Sequence, residues 1–370
     1  MATLETQILD DIIVKSRRKL MTLGATALAG LVVGGSTEKA YAASYSDSDI
    51  LNFALNLEYL EANFYYISAF GCTINAPNAA AIAAGAPSAG IPITGSVGTA
   101  GTVTCSVTGP VPFTLPAVAA YARETAIEEG KHVLFLQSAL TSLAIAQPAI
   151  NLDIVPTTGA WAQLVTAANA TTPSIVIPTG FSPYASDAAF LVGAYVFEDV
   201  GVTAYHGAAS LLTVAGNLSA AGGILAVEAY HAGLIRTSIN AMDTTGTLTG
   251  YTTSISNLRA ALSNAAASGS GSTVGGINYD TNPDDFGLAN FSVSLAGVTG
   301  FNSTRIVDAD TSDTTSQNPL PLATAFSRDP NQVLNIVTGG GKVSSGTIKT
   351  TAATGVFFPA GLNAGTNGFK

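Results

Sequence analysis

Four stretches of the chain set apolar residues at helical spacing and place an acidic residue among them. The first runs from Ser46 to about Phe70. Leu51, Leu55, Glu58, Ala62 and Tyr65 fall on one side of it, so Glu58 points where its apolar neighbours point. Tyr65 lies seven residues on, nearly two turns, and stands on the same stripe. Glu61, about one turn beyond Glu58, competes for that inward place. Ser46, Ser48 and Asp49 offer caps at the start.

The second stretch runs from Leu115 to about Leu143, with Pro116 in its first turn. Its middle carries Glu129 and His132. An i, i+3 spacing puts both on one helix face. Glu128, at i, i+4 to His132, is the less favoured alternative. Gly130 between them costs roughly 1 kcal/mol against alanine, and leaves room for a neighbouring helix or a ligand. The third stretch, Ser186 to Leu212, is strongly apolar through Phe190, Tyr195, Phe197 and Val202. Glu198-Asp199 interrupts it, and Tyr205 follows Glu198 by seven residues. His206 faces about 100° away from Tyr205 and reads as a hydrogen-bonded or surface histidine. The fourth stretch, Ser219 to Met242, holds Glu228 and His231, again at i, i+3.

The halves therefore repeat one plan: a helix with Glu and Tyr, then a helix with Glu-x-x-His. One Glu-x-x-His is weak as a signal. Two of them, with a lone Glu on each of two further helices, describe a dinuclear site inside a four-helix bundle. Four buried carboxylates cost several kcal/mol each unless compensated. Two divalent cations match four carboxylates and two neutral imidazoles. Glu129 and Glu228 are the bridging candidates, Glu58 and Glu198 the caps. Carboxylate oxygen with some imidazole suits iron or manganese. Tyr65 and Tyr205 are placed to hydrogen-bond a carboxylate and orient it.

The connections differ in kind. Residues 71–115 form an insertion rich in Gly, Pro, Ala, Thr and Val, too broken for helix, with Gly101 to Val107 open to short strands. It holds both cysteines, Cys72 and Cys105. In an exported protein these suggest one disulfide closing the loop; two free thiols are the other reading. Residues 147 to about 185, with the sole tryptophan Trp161, read as a long crossover. A fifth helix is expected near 254–265. Beyond it Gly, Ser, Thr and Asn dominate, and residues 267–370 read as an irregular, β-prone region packing on the bundle. Within it Thr324 to Val337 suggests a short helix capped near Ser327 or Asp329, and Gly355 to Asn363 an extended segment returning to the body.

Composition narrows the setting. The 370 residues are 47% hydrophobic and only 10% charged, with mean hydropathy +0.38 and net charge −10. Two of only three histidines occupy the motifs. The basic residues crowd the start (Lys15, Arg17, Arg18, Lys19, Lys39), so the remainder argues against nucleic acid or an anionic membrane as partner. Arg17-Arg18-Lys19, a Gly/Ala-rich apolar stretch and Ala40-Tyr41-Ala42 resemble an export signal over residues 1–43, of twin-arginine type. A general secretory signal or a retained anchor is the alternative. The mature chain is then expected in the periplasm or outside the cell, its bundle spanning 44–266.

Residues 46–242 resemble the ferritin-like superfamily. More narrowly, LNFALNLEYLEANFYY in the first helix, with AFSRDPNQVLNIV and GVFFPAGLN in the tail, is similar to exported ferritin-like, desiccation-related proteins. The resemblance implies an all-α core, a four-helix bundle with one long crossover. It carries metal-ligand roles to Glu58, Glu129, His132, Glu198, Glu228 and His231. The activity it suggests is redox chemistry towards peroxide or dioxygen at two Fe or Mn ions, in protection against stress. A structural, assembly-forming role is the alternative, with homo-oligomers or filaments. Iron storage needs a hollow shell, and the 71–115 insertion speaks against it.

Overall fold

Each half of the bundle begins at a Ser-Asp pair. The computed structural model describes residues 45–266 and, C-terminal to them, 273–274, 277–278, 288, 292–295, 298–302, 327–340 and 355–363. Helix α1 spans Asp47–Phe70. The Ser46 hydroxyl accepts from the Asp49 N–H at 3.3 Å, and the Asp49 carboxylate accepts from the Ser46 N–H at 3.0 Å. This reciprocal box satisfies donors that a helix start leaves open. The helix ends at Gly71, whose φ of 68° is left-handed. A Cβ there would also stand 2.7 Å from the Gly109 backbone, so glycine is required twice over.

A short helix α2, Ala79–Ala83, follows, then α3, Pro116–Leu140. Residues Ala160–Asn169 form α4, Asp187–Ala209 α5, Ala215–Met242 α6 and Thr247–Ala266 α7. Helix α8 is Pro330–Val337. The four long helices are α1, α3, α5 and α6. Helix α1 packs along α3, α5 packs along α6, and α1 meets α5 across the middle. Helices α1 and α5 are buried on nearly every side, which their continuous apolar composition requires. Phe64 ties them together. It stacks on Phe190 with ring centroids 6.0 Å apart and leans on Phe197 and Trp161 at 5.1 and 5.5 Å.

Neither α3 nor α6 has a side-chain cap of its own. Each receives one from the first residue of the other half. Asp187 accepts from the N–H groups of Thr114 and Leu115 at 2.9 and 3.1 Å. Asp47 accepts from those of Thr213 and Val214 at 2.9 and 3.0 Å.

The 71–115 insertion is packed rather than loose. Its strand β1 (Val103–Thr104) pairs in parallel with β2 (Ile150–Asn151) of the crossover. Gly95 and Gly101 let the backbones close in, since a Cβ on either would lie 2.2 Å from the facing chain. The expected bridge between Cys72 and Cys105 is not formed; both are free thiols. The backbone pairing and a hydrogen bond from the Ser106 N–H to Asp153 at 3.1 Å hold the insertion instead. They leave Cys105 beside Tyr184. Helix α2 is a further departure from the expectation of no helix there, and Asn78 caps it through the Ala81 N–H at 2.8 Å. The crossover likewise contains α4, which seats Trp161 wholly inside the core.

The tail returns to the bundle as its sequence implies. Asp329 and Gln332 form a capping box for α8. The Arg328 N–H donates to the Thr203 carbonyl at 3.0 Å, and Gly207 permits that approach, because a Cβ would meet the Arg328 oxygen at 1.9 Å. Phe357 packs on Trp161 and Phe197 at 5.6 and 5.2 Å. Asn363 exchanges two hydrogen bonds with Asn56, at 3.0 and 2.9 Å. Between α7 and α8, β3 (Thr273–Val274) pairs with β4 (Ile277–Asn278), and β5 (Ser292–Leu295) with β6 (Val298–Asn302), both antiparallel. The signal-like segment, residues 1–43, lies outside the described residues.

Candidate metal centre

The inward stripe of each long helix delivers its acidic residue to one point. Glu58, Glu129, Glu198, Glu228 and His231 are essentially inaccessible, and His132 is buried. Two groups of ligand atoms form, each with all its atoms within 4.8 Å of one another: Glu58, Glu129, His132 and Glu228; and Glu129, Glu198 and His231. All six expected residues are brought together. The sharing is less even than the sequence plan implied. Glu129 belongs to both groups, whereas Glu228 belongs to the first alone.

Both imidazoles face the cluster through Nδ1. His132 Nδ1 lies 3.2 Å from Glu129 Oε2 and 3.3 Å from Glu58 Oε2. His231 Nδ1 lies 3.0 Å from the other Glu129 oxygen and 3.3 Å from Glu198 Oε2. The Glu129 carboxylate thus stands between the two rings, whose centroids are 6.5 Å apart. Glu228 reaches the middle because residue 201 is glycine: a Cβ there would sit 2.1 Å from Glu228 Oε2.

The tyrosines cross over. The Tyr65 hydroxyl of α1 donates to Glu198 of α5, and the Tyr205 hydroxyl of α5 donates to Glu58 of α1. Each carboxylate therefore has one oxygen fixed from the opposite helix and one oxygen turned to the centre.

Electrostatics follow from burial. Desolvation pushes Glu58 up to about 7, against the pull of His132. It also raises Glu198, and it raises Glu228 well above the usual carboxylate range with the help of its acidic neighbours. Glu129 goes the other way, because the two histidines together outweigh its burial. Burial opposes protonation of the imidazoles, but Glu58 and Glu129 raise His132 to about 11, and Glu198 and Glu129 raise His231 to about 12. The cluster gathers positive charge wherever it can.

The donor set fits divalent cations. Glu58 Oε2, Glu129 Oε1, Glu198 Oε2 and both oxygens of Glu228 are buried and make no hydrogen bond among the described residues. Oxygens that have left water without a partner are costly, and these converge with two imidazole nitrogens. The composition, mostly carboxylate with some imidazole, suits iron or manganese.

Three sets of contacts escaped the reading of the sequence. Glu128, set aside as a ligand, is one-third exposed and holds His231 Nε2 at 2.8 Å, the outer contact expected behind a ligating imidazole. Asp199, next to Glu198, turns away and pairs with Arg236 and Arg259 at 2.7 and 3.1 Å. The third pair, Asp47 and Asp187, had a signal: each precedes its helix's Glu by eleven residues and follows a serine. Glu61 is buried beside the cluster but joins neither ligand group. His206 is only half buried and also stands outside both.

Four helices that each lend a carboxylate to one buried, imidazole-bearing cluster define a ferritin-like bundle. Residues 46–241 match the family model described as "Ferritin-like domain", and the chain belongs to that family. It is also similar to desiccation-related protein PCC13-62 of Craterostigma plantagineum, 31% identical over 191 residues, or 52% of each chain. The chain thus spans about half the length of that curated relative. No solved structure matches it.

Proposed function

We propose that this is an exported, dinuclear carboxylate protein that carries two Fe or Mn ions and reduces peroxide or dioxygen, protecting its surroundings under drying or oxidative stress. The observation that carries the reading is the convergence, with two imidazole nitrogens, of five buried carboxylate oxygens that accept no hydrogen bond among the described residues. Glu58, Glu129, His132 and Glu228 would hold one ion, and Glu129, Glu198 and His231 the other. The bound metals would supply the electrons for reduction. The protein's own groups do the rest. Tyr65 and Tyr205 fix the two capping carboxylates, Glu128 fixes the His231 ring, and the apolar walls of α1 and α5 keep water out. The export signal over residues 1–43 and the name of the plant relative support the setting.

Elemental analysis of protein purified from its native host tests the site directly. The expected result is two Fe or Mn per chain, with peroxide or dioxygen consumption by dispersed protein. Replacing Glu129 and Glu228 together by alanine should abolish both. Full metal occupancy in that double variant would sink the ligand assignment.

A second reading, an assembly-forming protein, is favoured by the outer face of α6 and its neighbour α3. Leu134, Phe135 and Tyr230 are 44–48% exposed among the described residues, and only 33% of the apolar window of α6 is buried. Filaments or arrays in electron micrographs of native preparations would support it; a dispersed protein that turns over peroxide favours the first reading.

A further inference from the structure

A cavity of about 70 Å³ lies between α1, α5, α7 and α8 and ends at the carboxylate cluster. It holds room for about five waters, more than one peroxide or dioxygen molecule needs. Its lining along α1 runs from Ile50 to Glu61, eleven residues or about 16 Å of helix. Leu57, Leu60, Val200, Leu258, Val333 and Ile336 are among its walls. A space so lined excludes water and accepts apolar guests.

Four side chains bring polar atoms to it: Glu58, Tyr205, Arg259 and Glu61. The first two belong to the cluster and bind each other. Arg259 is engaged by the Tyr195 carbonyl at 2.9 Å and by Asp199 at 3.1 Å. Glu61 is different. It is 6% exposed, it lines the cavity, and it makes no hydrogen bond among the described residues. Burial first, then the charges of Glu129, Glu198 and Glu58, raise it well above the usual carboxylate range. A buried carboxyl on an apolar wall, outside both ligand groups, is open to the polar end of a guest.

We propose that the cavity binds a straight-chain aliphatic molecule ending in one hydroxyl group, its hydrocarbon between α1, α5, α7 and α8 and its polar end on Glu61, beside Glu58. The extent of the lining along α1 suits an unbranched chain. Glu61, the carboxyl on the lining that belongs to neither ligand group, offers one polar contact. The site goes beyond the proposed redox reading and stands without it, because none of its apolar walls is a metal ligand.

The test is calorimetric titration of the protein as purified with octan-1-ol and with 1-bromooctane, which has the same chain and no hydroxyl. The wild type should bind both. Ala54→Phe and Ala208→Phe, at half-buried positions on the lining, should each weaken both ligands tenfold or more while circular dichroism and metal content stay unchanged. Glu61→Leu should weaken octan-1-ol about tenfold, the loss of one hydrogen bond, and leave 1-bromooctane unaffected. Absence of octan-1-ol binding to the wild type, or binding undiminished in both blocking variants, would overturn the site. Equal effects of Glu61→Leu on the two ligands would overturn the polar end. Metal content is read separately, so a metal-free protein that still takes up octan-1-ol refutes the redox reading and sustains this one.

Discussion

The two halves of the bundle use the same parts at the same intervals, yet they give the centre two unlike sides. In each half an Asp starts the first helix, a Glu follows eleven residues later and a Tyr seven after that. Each Asp caps the second helix of the other half, and each Tyr binds the Glu of the other half. The halves are therefore interlocked by exchange, not merely packed. At the centre the equivalence ends. The His132 side gathers Glu58, Glu129 and Glu228, and borders the apolar cavity through Glu58. The His231 side has Glu129 and Glu198 only, and is backed from the surface by Glu128. Repeated sequence supplied a symmetric shell; Glu228, admitted by Gly201, joins one side of its interior alone.

The sharpest way to break this comparison is at the ligands. Glu129 serves both sides, so Glu129→Ala should reduce metal from two ions to fewer than one per chain. Glu198 serves one, so Glu198→Ala should leave about one, held on the His132 side. Metal per chain after dialysis reads both. Equal loss in the two variants would mean that the sides are not distinct. The expectation follows from removing a shared ligand against an unshared one.

The crossed tyrosines give a smaller effect that should be equal on the two sides. Tyr65→Phe frees an oxygen of Glu198, and Tyr205→Phe an oxygen of Glu58, each on a buried carboxylate. Loss of such an orienting contact typically costs about 10–100-fold in metal affinity, and leaving a buried acceptor unpaired costs about 1–3 kcal/mol of stability. Competition against a chelator should show Tyr65→Phe weakening the His231-side ion and Tyr205→Phe the His132-side ion. An effect confined to one variant would show that the exchange is not reciprocal in energy.

Much of this was legible before any coordinates. The four inward-facing stripes and the paired Glu-x-x-His motifs located all six cluster residues, because an acidic residue on an apolar helix face has few physical explanations. The same spacing rule identified Tyr65 and Tyr205, although nothing in it said that each would serve the opposite helix; that crossing depends on how α1 and α5 lie against each other. Glu128 reads in the sequence as the less favoured i, i+4 partner of His132; that spacing says nothing of His231 on α6, the ring it meets across the helices. The free cysteines are only the second reading of the sequence for a related reason. Cys72 and Cys105 share one insertion, but backbone pairing with residues 144–152, through the close approaches at Gly95 and Gly101, decides where the insertion lies. Helix α4 was hidden because its ten residues sit between Pro- and Thr-rich flanks.

The exchanged caps offer the finest test of the symmetry. Burial works against ionisation of Asp47 and Asp187, but the donors around them outweigh it: Thr213, Val214 and Asn217 around Asp47, Thr114 and Leu115 around Asp187. Both carboxyls are therefore held below their ordinary value of 3.8. Removing a cap of this kind costs about 1 kcal/mol, so Asp47→Ala and Asp187→Ala should each lower stability by about that amount near neutral pH, in denaturant titrations. The sign with pH follows from linkage. A carboxyl whose folded pKa lies below its unfolded one stabilises the fold above the unfolded value, and that stabilisation disappears as pH falls through the folded value. The gap between wild type and either variant should thus be full above about pH 5 and shrink progressively below 3.8. Two variants with matching gaps and matching acid limbs would establish that the halves exchange equal contributions at their ends, even though they contribute unequally at the centre; a gap in one variant alone would confine the symmetry to the sequence.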